Sequence, residues 1–187
     1  MFLLRFCQWL ESTRGSVLIH ESLWGYPALS TVHVMALTLS VGMVAILDLR
    51  LLGVRMARVR VSEIGDRLLP WTAAGFAVVI LSGLLLAYAD PVRYYPNIFL
   101  RIKILVLIAA GVNAWVFHRS VYRDVAEWDL NAVTPRRARV AGMLSLSFLV
   151  VIILAGRMMA YYDEWFDCDR QPHSAIVDVV AGCNDPR

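Results

Sequence analysis

Asp, Glu, Lys and Arg are absent from positions 22–47, 68–89, 104–118 and 140–156, and these four apolar stretches are separated by short, strongly charged segments. A bilayer core is crossed by roughly 20 apolar residues in a helix, so the first two stretches qualify as they stand. The third reaches that length when it begins near Asn97 and carries Arg101 and Lys103 in its outer turn, and the fourth when it runs through Arg157. Long basic side chains near a helix end reach back to the interface, so neither is disqualified. The pattern predicts four transmembrane helices at about 27–51, 69–89, 97–118 and 141–162. Pro27 and Pro70 sit where a first helical turn tolerates proline, while Asp90-Pro91 and Tyr95-Pro96 bracket a loop. Tyr26, Trp71, Tyr88, Tyr94, Tyr95, Trp115, Tyr161 and Tyr162 fall near the expected ends, as an aromatic belt does.

Ahead of the first span, Arg5, Gln8 and Ser12 share one helical face opposite Phe2, Phe6, Trp9 and Leu10. This suits a helix lying in the membrane interface, with a second short helix near 17–23. Arg5 breaks the apolar run that a signal peptide needs and no small-residue cleavage pattern follows, so the segment is read as retained. The expected fold is therefore all-α, an integral membrane four-helix bundle with an N-terminal interfacial amphipathic helix. Residues 1–162 form the membrane domain, with 1–26 interfacial, and 163–187 form an acidic tail. Composition agrees: 59% of the 187 residues are hydrophobic and 18% charged, too few charges to clothe a water-soluble surface. The 18 basic residues include one lysine, Lys103, and lie beside apolar segments rather than in a groove-like patch, which excludes nucleic acid as a partner.

Ten of those 18 flank the first-to-second and third-to-fourth connections: Arg50, Arg55, Arg58, Arg60, Arg67, Arg119, Arg123, Arg136, Arg137 and Arg139. The positive-inside rule assigns that side to the cytoplasm and both termini to the periplasm, with Arg93, Arg101 and Lys103 as a contrary signal. An outward tail lies in an oxidising compartment, so Cys168 and Cys183 are expected to form a disulfide.

Ionisable groups within a bilayer are costly and mark where function is sought. His33 lies six residues after Pro27, about 9 Å into the first helix. Arg157, five residues before Tyr162, is expected at nearly the same depth, making an outer cluster of His33, Arg157, Lys103 and Tyr161. Two readings stay open. The cluster holds a haem b, a quinone head group or an anionic lipid, with His33 as axial ligand and Arg157 or Lys103 on a propionate; or it is structural, a buried histidine hydrogen-bonded to a neighbour. His118 stands some 20 Å away by helical rise, too far to share an iron with His33. A second axial ligand would come from His20, Met158, Met159 or another subunit. His118, Arg119, Asp48 and Arg50 are expected to form an inner polar cluster tying helix ends together. No metal-binding spacing, phosphate loop or nucleophile motif is present in the sequence, so catalysis has no positive support.

The segments Phe6-Cys7-Gln8-Trp9-Leu10-Glu11, Tyr26-Pro27, Thr31-Val32-His33-Val34, Asp48-Leu49-Arg50-Leu51-Leu52-Gly53, Leu69-Pro70-Trp71-Thr72, Ser82-Gly83-Leu84 and Phe99-Leu100-Arg101-Ile102-Lys103 carry a resemblance. Through them the chain resembles a family of uncharacterised bacterial inner-membrane proteins over most of residues 1–162. It is loosely similar to copper-resistance and cytochrome-b-like membrane proteins. The resemblance implies a four-helix membrane fold and no particular activity. The leading expectation is a non-catalytic accessory or anchoring subunit of a larger membrane complex for electron transfer, in contact with the bilayer and with partner subunits. The alternative is a small haem-b protein built on His33. A transporter is disfavoured, because four helices without inverted repeats make a poor alternating-access machine.

Overall fold

The computed structural model describes residues 2–54, 59–129 and 134–166, and within them the chain is helical with no strand. Two short helices, α1 (Phe2–Glu11) and α2 (Arg14–Glu21), lead into α3 (Gly25–Leu51). Then follow α4 (Val61–Ala89), the single turn α5 (Pro91–Tyr94), α6 (Ile98–Ser120), a 3-10 turn at Tyr122–Asp124, α7 (Val125–Trp128), α8 (Arg136–Met159) and α9 (Tyr162–Trp165). α3, α4, α6 and α8 are each long and apolar enough to cross a membrane. The protein is thus a multi-pass membrane protein with four spans, and Val32, Leu39, Leu81, Leu105, Ile108 and Val150 remain exposed for lipid to cover. In such a solvent the helix is the one open-ended structure that satisfies its own backbone.

Two spans differ from expectation at their boundaries. α4 begins at Val61 rather than near Leu69, which leaves Pro70 inside the helix instead of in its first turn. The extra two turns are held from outside: the carboxylate of Asp129, itself 7% exposed, accepts from the Val61 N–H (2.5 Å), the Ser62 N–H (3.2 Å) and the Ser62 hydroxyl. Arg60, at the N-cap position, offers no side-chain cap, so a residue from the connection between α6 and α8 caps α4 in its place. α8 likewise starts early, at Arg136, and stops at Met159, with Tyr162 opening the next turn. α3 ends where Gly53 adopts φ +74°, a left-handed residue that lets Gly53 and Val54 donate to the Arg50 and Leu49 carbonyls.

The spans pack as α4 on α3, α3 on α8 and α8 on α6. α4 and α6 have no packing of any extent with each other, so the bundle is a bent row that leaves a cleft between its two outer members. At the α3–α8 crossing a Cβ on Gly142 would stand 3.2 Å from the Asp48 carbonyl oxygen, so glycine sets how closely those backbones approach. The alanine-based repeats Ala73/Ala77 and Ala110/Ala114 do not close an interface: Ala73, Ala77 and Ala114 are exposed, and Ala73 and Ala114 line the cleft.

One end of the bundle, the terminal end, gathers α1, α2, α5 and α9. Thr13 Oγ1 meets the Tyr88 hydroxyl at 2.6 Å, Ser16 donates to the Ala89 carbonyl, and Arg93 pairs with Asp163 at 2.7 Å. α1 rests on α5 and leaves Phe2, Leu3, Phe6 and Trp9 exposed, as a helix lying on a membrane surface would. The opposite end holds a small core of Leu51, Val61, Val121, Trp128 and Ala138. The expected Cys168–Cys183 disulfide lies outside the described residues.

Removing the Asp129 cap should destabilise the loop end. Asp129→Ala is expected to cost about 1–2 kcal/mol and to lower the melting temperature in detergent, while Asp129→Asn, which keeps one acceptor, should cost less. At the terminal end, burial and then the 2.9 Å contact with the Tyr26 hydroxyl push the Tyr94 hydroxyl above its ordinary value. An acid whose folded pKa is raised contributes stability below its unfolded pKa, about 10 for tyrosine, and loses it as pH rises through the folded value. Stability should therefore fall above about pH 10, and Tyr94→Phe should flatten that limb of the profile.

Candidate functional site

His33 and Ser82 come to one level by simple counting. His33 is eight residues into α3 from Gly25, and Ser82 is seven residues before the end of α4 at Ala89, so both lie about 10–12 Å from the terminal end. Their side chains meet, with His33 Nδ1 2.9 Å from Ser82 Oγ. The Ser82 hydroxyl is 2.5 Å from the Val78 carbonyl one turn back. A carbonyl can only accept, so the hydroxyl proton goes to Val78 and the Nδ1–H of His33 donates to Ser82 Oγ. In the neutral ring Nε2 then holds the lone pair. The Val79 carbonyl adds a second acceptor against the ring. Gly83 makes room for it: a Cβ there would stand 3.2 Å from His33 Cε1.

Lys103 is the cation of this site. It is half-buried on α6, and its ammonium is near enough to act on the His33 ring through space. Gly156 of α8 lies beside it, the position of an added Cβ being 3.7 Å from Lys103 Nζ. Four further candidates take other directions. Arg157 is exposed, donates to the Tyr161 hydroxyl at 2.6 Å and lies over that ring at 4.9 Å, as a cation at a membrane interface does. His20 is exposed on α2, edge-on to Tyr26 at 6.2 Å. Met158 and Met159 lie in the last turn of α8, where the Met159 carbonyl accepts from Asn97 at 3.4 Å. No contact among the described residues joins any of these to His33.

At the loop end, the four residues expected to tie helix ends together also separate. Arg119 lies over Trp115 at 5.2 Å. Arg50, fully buried, donates to the Val59 carbonyl at 2.7 Å and to Thr134. His118 stacks on Tyr122 with ring centroids 5.2 Å apart. Asp48 bonds to Ser145. Among the described residues no ion pair connects them. Asp48 and His118 do share one feature, a cavity of about 310 Å³ between all four spans, formed because α4 and α6 stand apart.

Several residues that organise these sites had a weak sequence signal. Ser82 was findable by the equal-depth count. Asn97 caps α6 by accepting from Phe99 and Leu100 while tying to α8, and its place one residue after Pro96 marks it as a cap. Asp129 has no local signature.

No curated protein sequence and no solved structure matches the chain. The looser likeness to copper-resistance and cytochrome-b-like proteins is not shown by these comparisons. A family model matches residues 9–162, from α1 through the four spans to Tyr162, and therefore includes both the His33 site and the Asp48 cavity. The chain belongs to that family, a family of unknown function (DUF6644).

Proposed function

We propose that the protein is a small membrane subunit, without catalytic machinery of its own, that serves an electron-transfer assembly by holding haem b on His33. The reading rests on the orientation of the imidazole. Metal-binding histidines commonly donate the ring N–H to a neighbouring acceptor and present the other nitrogen to the metal, and the His33 Nδ1 bond to Ser82 is of that kind. Lys103 supplies a cation for a propionate on the side of the bundle where it acts on His33. The haem would supply one-electron chemistry. The chain would supply one axial nitrogen, a charge partner and an apolar surround. A second ligand to the iron would come from a partner subunit, His20 being turned to Tyr26.

The same observation frames the competing reading, an accessory subunit with no cofactor, in which His33 and Ser82 only clamp α3 to α4. An absorption spectrum of the detergent-purified protein separates them. The proposal expects a Soret band that His33→Gln abolishes, because an amide is a poor iron ligand, and haem retention weakened about 10–100-fold by Ser82→Ala. A colourless wild type produced with abundant haem overturns the proposal, as does a pigment retained in His33→Gln. As a clamp alone, His33→Gln should leave the melting temperature nearly unchanged, since an amide replaces one imidazole hydrogen bond.

A further inference from the structure

Asp48 is 4% exposed and sits three residues from the end of α3. Its carboxyl bonds to Ser145, yet Oδ2 is buried with no hydrogen-bond partner. A buried carboxyl oxygen left unpaired in a membrane span is costly, and Asp48 is one of the residues lining the 310 Å³ cavity. Arg50, the nearest basic residue in sequence, turns away to Val59 and Thr134, and among the described residues no ion pair reaches Asp48. Among the described residues the cavity is thus a largely apolar chamber, lined also by His118, with one acidic group whose Oδ2 lacks a donor and which has no ion-pair partner.

The rest of the chamber narrows what fills it. Phe76, Phe117 and Tyr122 contribute rings to its wall, and aromatic faces attract cations when water is excluded. α3 and α8 form its back, while α4 and α6 do not pack together to close its front, so the opening faces the bilayer. Tyr122 bridges the loop end, its hydroxyl 3.4 Å from Asp66 and packed against Gly65. We infer that this cleft is a binding site for a lipophilic primary or secondary amine that enters from the membrane. Its ammonium donates to Asp48 Oδ2 and its apolar body lies between α4 and α6. A neutral hydroxyl would satisfy the hydrogen bond but leave the charge unbalanced, and a quaternary ammonium would balance the charge but leave the acceptor unpaired.

The inference is independent of the haem reading and is tested without it. Labelled dodecylamine is titrated onto the full chain in nanodiscs of zwitterionic phosphatidylcholine, with empty discs as the partition background. The expected result is one saturable site per protein, weakened about tenfold or more in Asp48→Asn and unchanged in His33→Gln. Dodecanol and dodecyltrimethylammonium should compete at least about tenfold more weakly than the amine. Ala73→Phe leaves Asp48 intact and fills the cleft from α4. It should also remove the site, which keeps the test decisive should Asp48→Asn fail to fold. Saturable binding that persists in Ala73→Phe or Asp48→Asn overturns the site, and so does uptake that matches empty discs. Equal competition by dodecanol overturns the assignment to amines.

Discussion

Inside a bilayer no water is present to satisfy a polar group, so each one must find its partner within the protein. The four spans obey this first through their backbones and then through their hydroxyls. Thr31, Thr38, Ser40 and Ser147 all donate to a carbonyl four residues back on their own helix. These hydroxyls need no hydrogen-bond partner on a neighbouring helix, even where the side chain packs against one, as Ser40 does at Gly75. His33, Asn113 and Asp48 cannot satisfy themselves in this way. His33 binds Ser82 on α4, Asn113 donates to the Ala141 carbonyl on α8, and Asp48 bonds to Ser145 on α8. The helix pairings α3 with α4, α6 with α8 and α3 with α8 are the three pairings these residues serve.

That constraint also explains why both candidate sites lie where they do. Apolar packing alone does not hold helices together in lipid, because a hydrocarbon tail is as good a neighbour as a leucine. α6 has no buried residue at all and is tied at its start by Asn97 and midway by Asn113, both to α8. Among the described residues no hydrogen bond ties α6 to α4, so the row bends without closing. The His33 site and the Asp48 cavity stand at opposite ends of the same row. One is a polar group with its partner found, and the other a polar group with half its capacity unmet.

The spans were legible in the sequence because hydropathy and charge act locally: a run such as 68–89 needs no tertiary information to be a helix. The start of α4 was not, because residues 61–68 are kept helical by Asp129, far along the chain. Depth along a helix was legible too, since counting from the helix ends sets Ser82 level with His33, although the expectation from sequence pairs His33 with Arg157 instead. Azimuth was not. Arg157 and Lys103 are on different helices, and which way each points depends on crossing angles that short-range pattern does not encode; Arg157 turned to Tyr161 four residues on in its own segment. The loop-end residues fail for the same reason, since Asp48 and Arg50 are two apart and face different neighbours on one helix.

The Asp129 cap has a consequence for how the chain is assembled. Its carboxylate closes the first turn of a helix that the ribosome finishes about 40 residues earlier. While α3 and α4 are entering the bilayer as a hairpin, the Val61 and Ser62 amides have no protein acceptor, and water at the membrane surface must serve instead. The start of α4 becomes regular when the connection after α6 arrives, carrying Tyr122 against Gly65 and Trp128 into the small core beside Val61. Insertion and folding are thereby separated in time: hydrophobicity commits each span singly, and a soluble-style knot of one aspartate and a few buried side chains then locks the first hairpin to the second from the aqueous side.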